Sequence, residues 1–105
     1  MYEIYKSVIE RFKEGKLTTY GEVADWLGKP KEAEFIDRYF IEIDEVFKEN
    51  GQPPLSTLII NAKEGICGEG YFKEHFGTDK REHIVIWAEQ IQKFDTVKAL
   101  ELIKR

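Results

Sequence analysis

The sequence is poor in cysteine and in long apolar runs, and each shortage excludes a class of protein. Cys67 is the only cysteine in the 105 residues, so the chain can form no internal disulfide and suits a reducing compartment. No stretch approaches the roughly 18 continuous apolar residues that a membrane span requires. We therefore expect a cytoplasmic domain without a membrane partner.

Histidine is equally scarce, which limits the chemistry open to the chain. His75 and His83 are the only two. Neither has a spacing to Cys67 that indicates an activated thiol, and no Cys or Glu-x-x-His pattern accompanies them to indicate a metal site. The glycine-rich stretch 65–72 lacks the Gly-Lys-Ser/Thr ending of a phosphate-binding P-loop. The sequence predicts no catalytic residue, no metal and no cofactor.

The composition is that of a folded globular protein. Hydrophobic residues make up 42% and aromatic residues 13% of the chain, enough for a packed core in a single domain over 1–105. The 16 basic and 20 acidic residues give a net charge of −4, which argues against a general nucleic-acid binder. A local basic face remains compatible with this balance.

The spacing of apolar residues predicts a mainly α fold with a small β element. Thr19 and Glu22 have the spacing of a capping box, with Thr18 as the alternative cap. A second capping signature is Asp79-x-x-Glu82. The predicted elements are a helix over 2–14, a short helix ending at Gly28, a long third helix over 31–49, a strand over 55–61, a second short strand near 66–72, a helical turn over 71–76, and helices within 79–94 and 95–104.

The most specific motif runs from Gly15 to Gly28 and reads Gly-Lys-Leu-Thr-Thr-Tyr-Gly-Glu-Val-Ala, followed later by Leu-Gly. With its flanking elements, the segment 4–61 resembles the C-terminal winged-helix domain of the O6-alkylguanine-DNA alkyltransferases and the alkyltransferase-like proteins. The resemblance implies a winged-helix or helix-turn-helix-like core over 4–61. A glycine-rich loop or wing over 62–76 and extra C-terminal helices over 79–105 would complete the fold.

The resemblance also implies a nucleic-acid contact at the start of the second helix. Tyr20 corresponds to a tyrosine that lies against the DNA backbone in that family, and Thr19 to a residue that helps bind phosphate. Lys16, Lys29 and Lys31 flank this turn. We therefore predict a nucleic-acid-binding surface composed of these five residues.

The chemistry of the family has no counterpart in this chain. The arginine that replaces the flipped base in the family falls near Glu34 here. The family's Pro-Cys-His-Arg segment falls within 54–58, which reads Pro-Leu-Ser-Thr-Leu and contains no group that can accept an alkyl group. We therefore expect a non-enzymatic binding domain, with no alkyl transfer.

The glycine-rich loop follows the predicted strand and lies where the family's wing would be. Gly68, Gly70 and Tyr71 are candidate loop contacts, with Tyr71 and Phe72 as exposed aromatic side chains, or alternatively with Phe72 in the aromatic core. Alternatively, the glycines only form tight turns. An enzyme using this loop is a third interpretation, without assignable chemistry.

The third helix supports a different function from the second. Over residues 31–50 the net charge is −4, because Lys31, Arg38 and Lys48 are outnumbered by Glu32, Glu34, Asp37, Glu42, Asp44, Glu45 and Glu49. Such a face would repel phosphates. The alternative function is therefore a protein–protein interaction module that meets a basic partner through this helix, without DNA binding, and a merely solvated acidic face is the simplest explanation. The oligomeric state stays open.

Overall fold

A computed structural model describes residues 1–104 of the protein, which are mainly helical with one small parallel sheet. One long and one short 3₁₀ helix flank α3. In chain order the elements are α1 (Tyr2–Lys13), β1 (Thr18–Thr19), α2 (Tyr20–Trp26), the long 3₁₀ helix (Pro30–Phe40), α3 (Ile41–Glu49), the short 3₁₀ helix (Leu55–Leu58), β2 (Ile59–Ile60), α4 (Glu69–Phe76), α5 (His83–Lys93) and α6 (Thr96–Leu102).

The predicted capping box is confirmed at the start of α2. The Thr19 hydroxyl accepts a hydrogen bond from the Glu22 amide at 3.1 Å, and the Glu22 carboxylate accepts one from the Thr19 amide at 3.0 Å. These bonds satisfy amides that the first helical turn leaves without partners. An ion pair with Arg11 at 2.9 Å ties the same carboxylate to α1. The capping bonds and the Arg11 pair lower the pKa of Glu22.

The prediction of one continuous third helix is wrong, because Pro30–Phe40 is a 3₁₀ helix and α3 begins only at Ile41. Among its side chains that pack on the core, Ala33, Ile36 and Tyr39 recur every three residues, whereas the buried Ile36 and Phe40 lie four apart. A period of three is that of a 3₁₀ helix. In α3 the buried Ile43 and Phe47 lie four residues apart, which is the spacing typical of an α-helix.

The predicted strand over 55–61 is also wrong in most of its length. Its first part is the short 3₁₀ helix, and only β2 pairs, in parallel, with β1. The register places Thr18 opposite Ile59. The amide of Ser56 donates to a carboxylate oxygen of Asp44 and that of Thr57 to the Pro54 carbonyl, so neither can join a ladder. The predicted second strand near 66–72 is wrong as well, because α4 begins within that range.

The segment predicted as a loop or wing, 62–76, consists of a turn followed by α4. The Asp79–Glu82 capping signature is wrong: α5 begins at His83 without a side-chain cap, and Asp79 instead binds Arg81. That contact lowers the pKa of Asp79 to about 2. α6 does have a cap, because the Asp95 carboxylate accepts from the Lys98 amide at 3.1 Å.

Two clusters of buried side chains form the core. The larger lies among α1, α2, the 3₁₀ helices, α3 and α6 and includes Phe40 and Phe47, whereas the smaller contains Cys67, Tyr71, Phe72 and Ile86. The indole of Trp87 donates to the Thr57 carbonyl at 3.0 Å and ties α5 to the short 3₁₀ helix. Within residues 1–104 no helix is both long and apolar enough to cross a bilayer.

Candidate binding cleft

Tyr20, the central residue of the predicted nucleic-acid surface, uses its hydroxyl inside the protein. That hydroxyl accepts a hydrogen bond from the Gly68 amide at 2.9 Å. Burial is the main cause that raises the pKa of Tyr20. A β-carbon at Gly68 would lie 3.5 Å from the same hydroxyl oxygen, so the loop packs directly on this side chain. Tyr20 and the loop glycine are therefore brought together, as an anchor for the loop.

The other members of that surface are divided between internal contacts and solvent. Thr19 is occupied by its capping bonds to Glu22. The ammonium of Lys29 donates to the Tyr39 hydroxyl at 3.1 Å. Lys16 and Lys31 are exposed, and neither forms an ion pair within the described part of the chain.

The expectation that Tyr71 and Phe72 are exposed is wrong. Tyr71 is only 1% exposed, and its hydroxyl shares a hydrogen bond of 2.7 Å with the Thr57 hydroxyl. Burial raises the pKa of Tyr71. The two rings meet edge to face at 5.0 Å. They are hidden because they form the inward face of α4, where they complete the smaller core cluster.

A cleft of about 500 Å³, called the acidic cleft, opens between α4 and the segment formed by the long 3₁₀ helix and α3. Three separate segments build it, namely the long 3₁₀ helix with α3, the short 3₁₀ helix, and α4. Four carboxylates face two ammonium groups and one imidazole around it. The lining residues are Asp37, Ile41, Asp44, Glu45, Lys48, Ser56, Gly70, Tyr71, Lys73, Glu74 and His75.

Asp44 is the organising residue of this cleft. It is only 4% exposed, and its carboxylate accepts from the Ser56 amide at 3.0 Å and from the Ser56 hydroxyl at 2.6 Å. The Nε2 atom of His75 lies 3.4 Å from the same carboxylate. A buried carboxylate needs such partners, because burial without them is strongly unfavourable. Asp44 thus joins α3, the short 3₁₀ helix and α4.

Two buried polar atoms of the cleft have no partner among residues 1–104, namely Oδ1 of Asp37 and Nδ1 of His75. Burial raises the pKa of Asp37, and the negative charge of Asp44 raises it further. A carboxylate with a perturbed pKa in a cleft is a sign of a functional site. Native proteins rarely leave buried polar atoms unpaired without a reason.

Cys67 is a structural thiol of the smaller core cluster. It is buried and lies 3.2 to 3.5 Å from the carbonyl oxygens of Ser56, Thr57 and Ile59. Burial raises its pKa well above the ordinary value, which suppresses the reactive thiolate. Over residues 1–104, no three carboxylate, imidazole or thiol groups are arranged to hold a metal ion.

Sequence reasoning missed the cleft because it treated the acidic third helix as one surface. Two signals pointed to it. Asp44 follows the apolar Ile43 within an amphipathic pattern, where a buried carboxylate needs a partner. Ser56 and Thr57 interrupt an otherwise apolar run, and the first of them is that partner. Neither signal identifies the contribution of His75, which comes from α4.

Comparison with known proteins finds no family model, no curated protein and no solved structure that matches this chain.

Proposed function

We propose that this chain is a non-enzymatic protein-interaction domain that binds a basic segment of a partner protein. The binding surface, called the acidic face, consists of Glu42, Glu45 and Glu49 on α3. The observation that carries the proposal is that all three side chains are exposed and form no ion pair within residues 1–104.

The spacing of the three glutamates places them on one side of α3. Residues three and seven positions apart lie on the same face of an α-helix. Glu45 also lines the acidic cleft, so the face and the cleft are continuous. Unpaired charges of one sign on one surface attract lysine and arginine side chains and repel phosphates.

The first prediction tests this face with a fluorescent peptide rich in lysine and arginine. We expect saturable binding by anisotropy that weakens as salt is raised, since the contacts are exposed ion pairs. The triple variant Glu42→Gln, Glu45→Gln, Glu49→Gln should bind about tenfold more weakly, from about 0.5 kcal/mol per lost rim contact.

The matched control changes the same charge elsewhere. Glu3, Glu10 and Glu14 lie exposed on or just after α1, so their triple substitution by glutamine gives the same net charge. This control should bind as the unaltered protein does. Equal weakening in both variants, or no binding at micromolar protein, would refute the proposal.

A second candidate function is nucleic-acid binding on a winged-helix core, through the predicted surface, of which Lys16, Lys29 and Lys31 are exposed while the hydroxyls of Thr19 and Tyr20 are used in internal hydrogen bonds. A basic and aromatic cluster on the long 3₁₀ helix favours it. The guanidinium of Arg38 lies 5.0 Å from the centre of the Phe35 ring, and Phe35 is 49% exposed. Lys29 lies 5.5 Å from the ring of Tyr39. An exposed ring beside cations can stack on an unpaired base.

The second prediction follows from this cluster. If it binds nucleic acid, single-stranded DNA should bind better than duplex DNA, and Phe35→Ala should weaken binding by roughly 1–3 kcal/mol, the usual range for a stacked base. Anisotropy titrations at low and moderate salt measure both. Binding that ignores salt, or an unaffected Phe35→Ala variant, would eliminate this candidate.

A further inference from the structure

We infer that the acidic cleft is a binding site for an ammonium or guanidinium group. The inference rests on the proposed function only for the source of that group, which is either a side chain of the partner protein or a small amine. The acidic cleft has a volume of about 500 Å³, which lies within the range of small-ligand sites.

The first step of the argument concerns His75, whose side chain is 8% exposed and lines the cleft. Its Nε2 atom faces the carboxylate of Asp44 at 3.4 Å. A neutral imidazole that carries its proton on this nitrogen leaves Nδ1 as an acceptor. Nδ1 has no partner among the described residues.

The second step concerns Asp37, whose Oδ1 atom is also buried and unpaired within residues 1–104. A carboxylate oxygen can only accept hydrogen bonds when ionised. Oδ1 of Asp37 is then an acceptor, and so is Nδ1 of His75 in the tautomer whose Nε2 donates to Asp44, so a ligand that supplies N–H donors complements both atoms. A positive charge on that ligand would also offset the repulsion between Asp37 and Asp44, which raises the pKa of Asp37.

The third step concerns Gly70, which leaves room for the Asp37 carboxylate. A β-carbon at Gly70 would lie 2.8 Å from Oδ2 of Asp37 and would force that carboxylate to move. Gly70 lies inside α4, where alanine is favoured over glycine by about 1 kcal/mol. Gly70→Ala therefore disturbs the cleft without a reason to unfold the helix.

The remaining lining residues of the acidic cleft are compatible with an ammonium or guanidinium ligand. Ile41 supplies an exposed apolar surface for the carbon chain of an alkylammonium or alkylguanidinium ion. Lys48 and Lys73 form no ion pair among residues 1–104, so neither of them occupies the Asp37 carboxylate.

The third prediction uses N-butylguanidinium as the probe and N-butylurea, its uncharged analogue, as the chemical control. Titration followed by NMR should shift the backbone amides of Ser56, Gly70 and His75 in a saturable manner. Butylurea should bind at least about tenfold more weakly, because it carries no charge. Asp37→Asn and Gly70→Ala should weaken butylguanidinium binding by a similar factor.

Folding of these variants is controlled separately. The raised pKa shows that the fold disfavours the charge of Asp37, so Asp37→Asn should not lower the melting temperature. Asp25→Asn removes an exposed carboxylate from α2 and should bind butylguanidinium normally. The inference is overturned if no cleft amide shifts at millimolar probe, if butylurea binds equally, or if the stably folded Asp37→Asn variant binds unchanged.

The experiment also separates this inference from the proposed function. The double variant Glu42→Gln, Glu49→Gln, which leaves the cleft residue Glu45 unchanged, can lose the basic peptide and still bind butylguanidinium, or the reverse can hold. Competition then identifies the source of the cation. Displacement of butylguanidinium by the basic peptide assigns the cleft to a partner's side chain, and simultaneous binding assigns it to a small amine.

Discussion

Replacing Asp44 by alanine is expected to lower the free energy of unfolding by about 3 kcal/mol. The change removes the acceptor for both the amide and the hydroxyl of Ser56, at 3.0 and 2.6 Å. Both donors are buried, because Ser56 is 3% exposed. In the variant, each donor would lose its partner without gaining a hydrogen bond to water. Leaving a buried donor without a partner destabilises the fold by more than a formed hydrogen bond stabilises it. The loss should therefore exceed that of an ordinary surface substitution severalfold.

Urea denaturation followed by tryptophan fluorescence measures this fourth prediction. Glu45→Ala is the matched control, since it removes an exposed carboxylate from the next position of α3. Its effect should stay within about 0.5 kcal/mol. Asp44→Asn should fall between the two, because the amide oxygen can still accept one bond from Ser56. An Asp44→Ala variant as stable as the control would mean that this bond network does not hold the cleft together.

The fifth prediction is that Phe40→Ala lowers the free energy of unfolding by about 3–5 kcal/mol, the usual range for a buried phenylalanine. Phe40 is fully buried where the long 3₁₀ helix meets α3. Its ring centre lies 5.2 Å from that of Tyr5, whose hydroxyl donates to the Tyr39 carbonyl at 2.8 Å. The substitution leaves a void at the place where α1 is attached to this junction.

Phe35→Ala is the control for that measurement, because it makes the same chemical change five residues earlier in the same helix. The Phe35 ring is half-exposed, so its removal should lower the free energy of unfolding by less than about 1 kcal/mol. Similar losses for the two variants would contradict the assignment of Phe40 to the core. The comparison uses the denaturation assay described for Asp44.

Local signals predicted the N-terminal part of the fold well. The capping box of Thr19 and Glu22 forms as expected, since both partners lie within one helical turn. The long 3₁₀ helix and the missing strand were not predictable in the same way. Whether Ser56 joins a strand depends on a carboxylate twelve residues away, and hydrophobic spacing carries no information on that bond.

The candidate cleft was hidden for a similar reason. Sequence reasoning identified the excess of acidic residues but not which of them turn inward. Asp37 and Asp44 lie seven positions apart with a change of helix type between them, so a single helical wheel misplaces them. Likewise, the partner of the Tyr20 hydroxyl is an amide forty-eight residues away. Tertiary contacts of this range cannot be inferred from spacing within one element.

The 3₁₀ geometry of Pro30–Phe40 has a mechanical consequence. A 3₁₀ helix rises about 2.0 Å per residue and an α-helix about 1.5 Å, so conversion of the part between the kink at Glu32 and Phe40 would shorten the segment by about 4 Å. The same conversion would rotate Asp37 by about 60° around the helix axis relative to Phe40, since the turn per residue falls from about 120° to about 100°. A ligand that requires Asp37 in the cleft therefore also fixes the length of this segment.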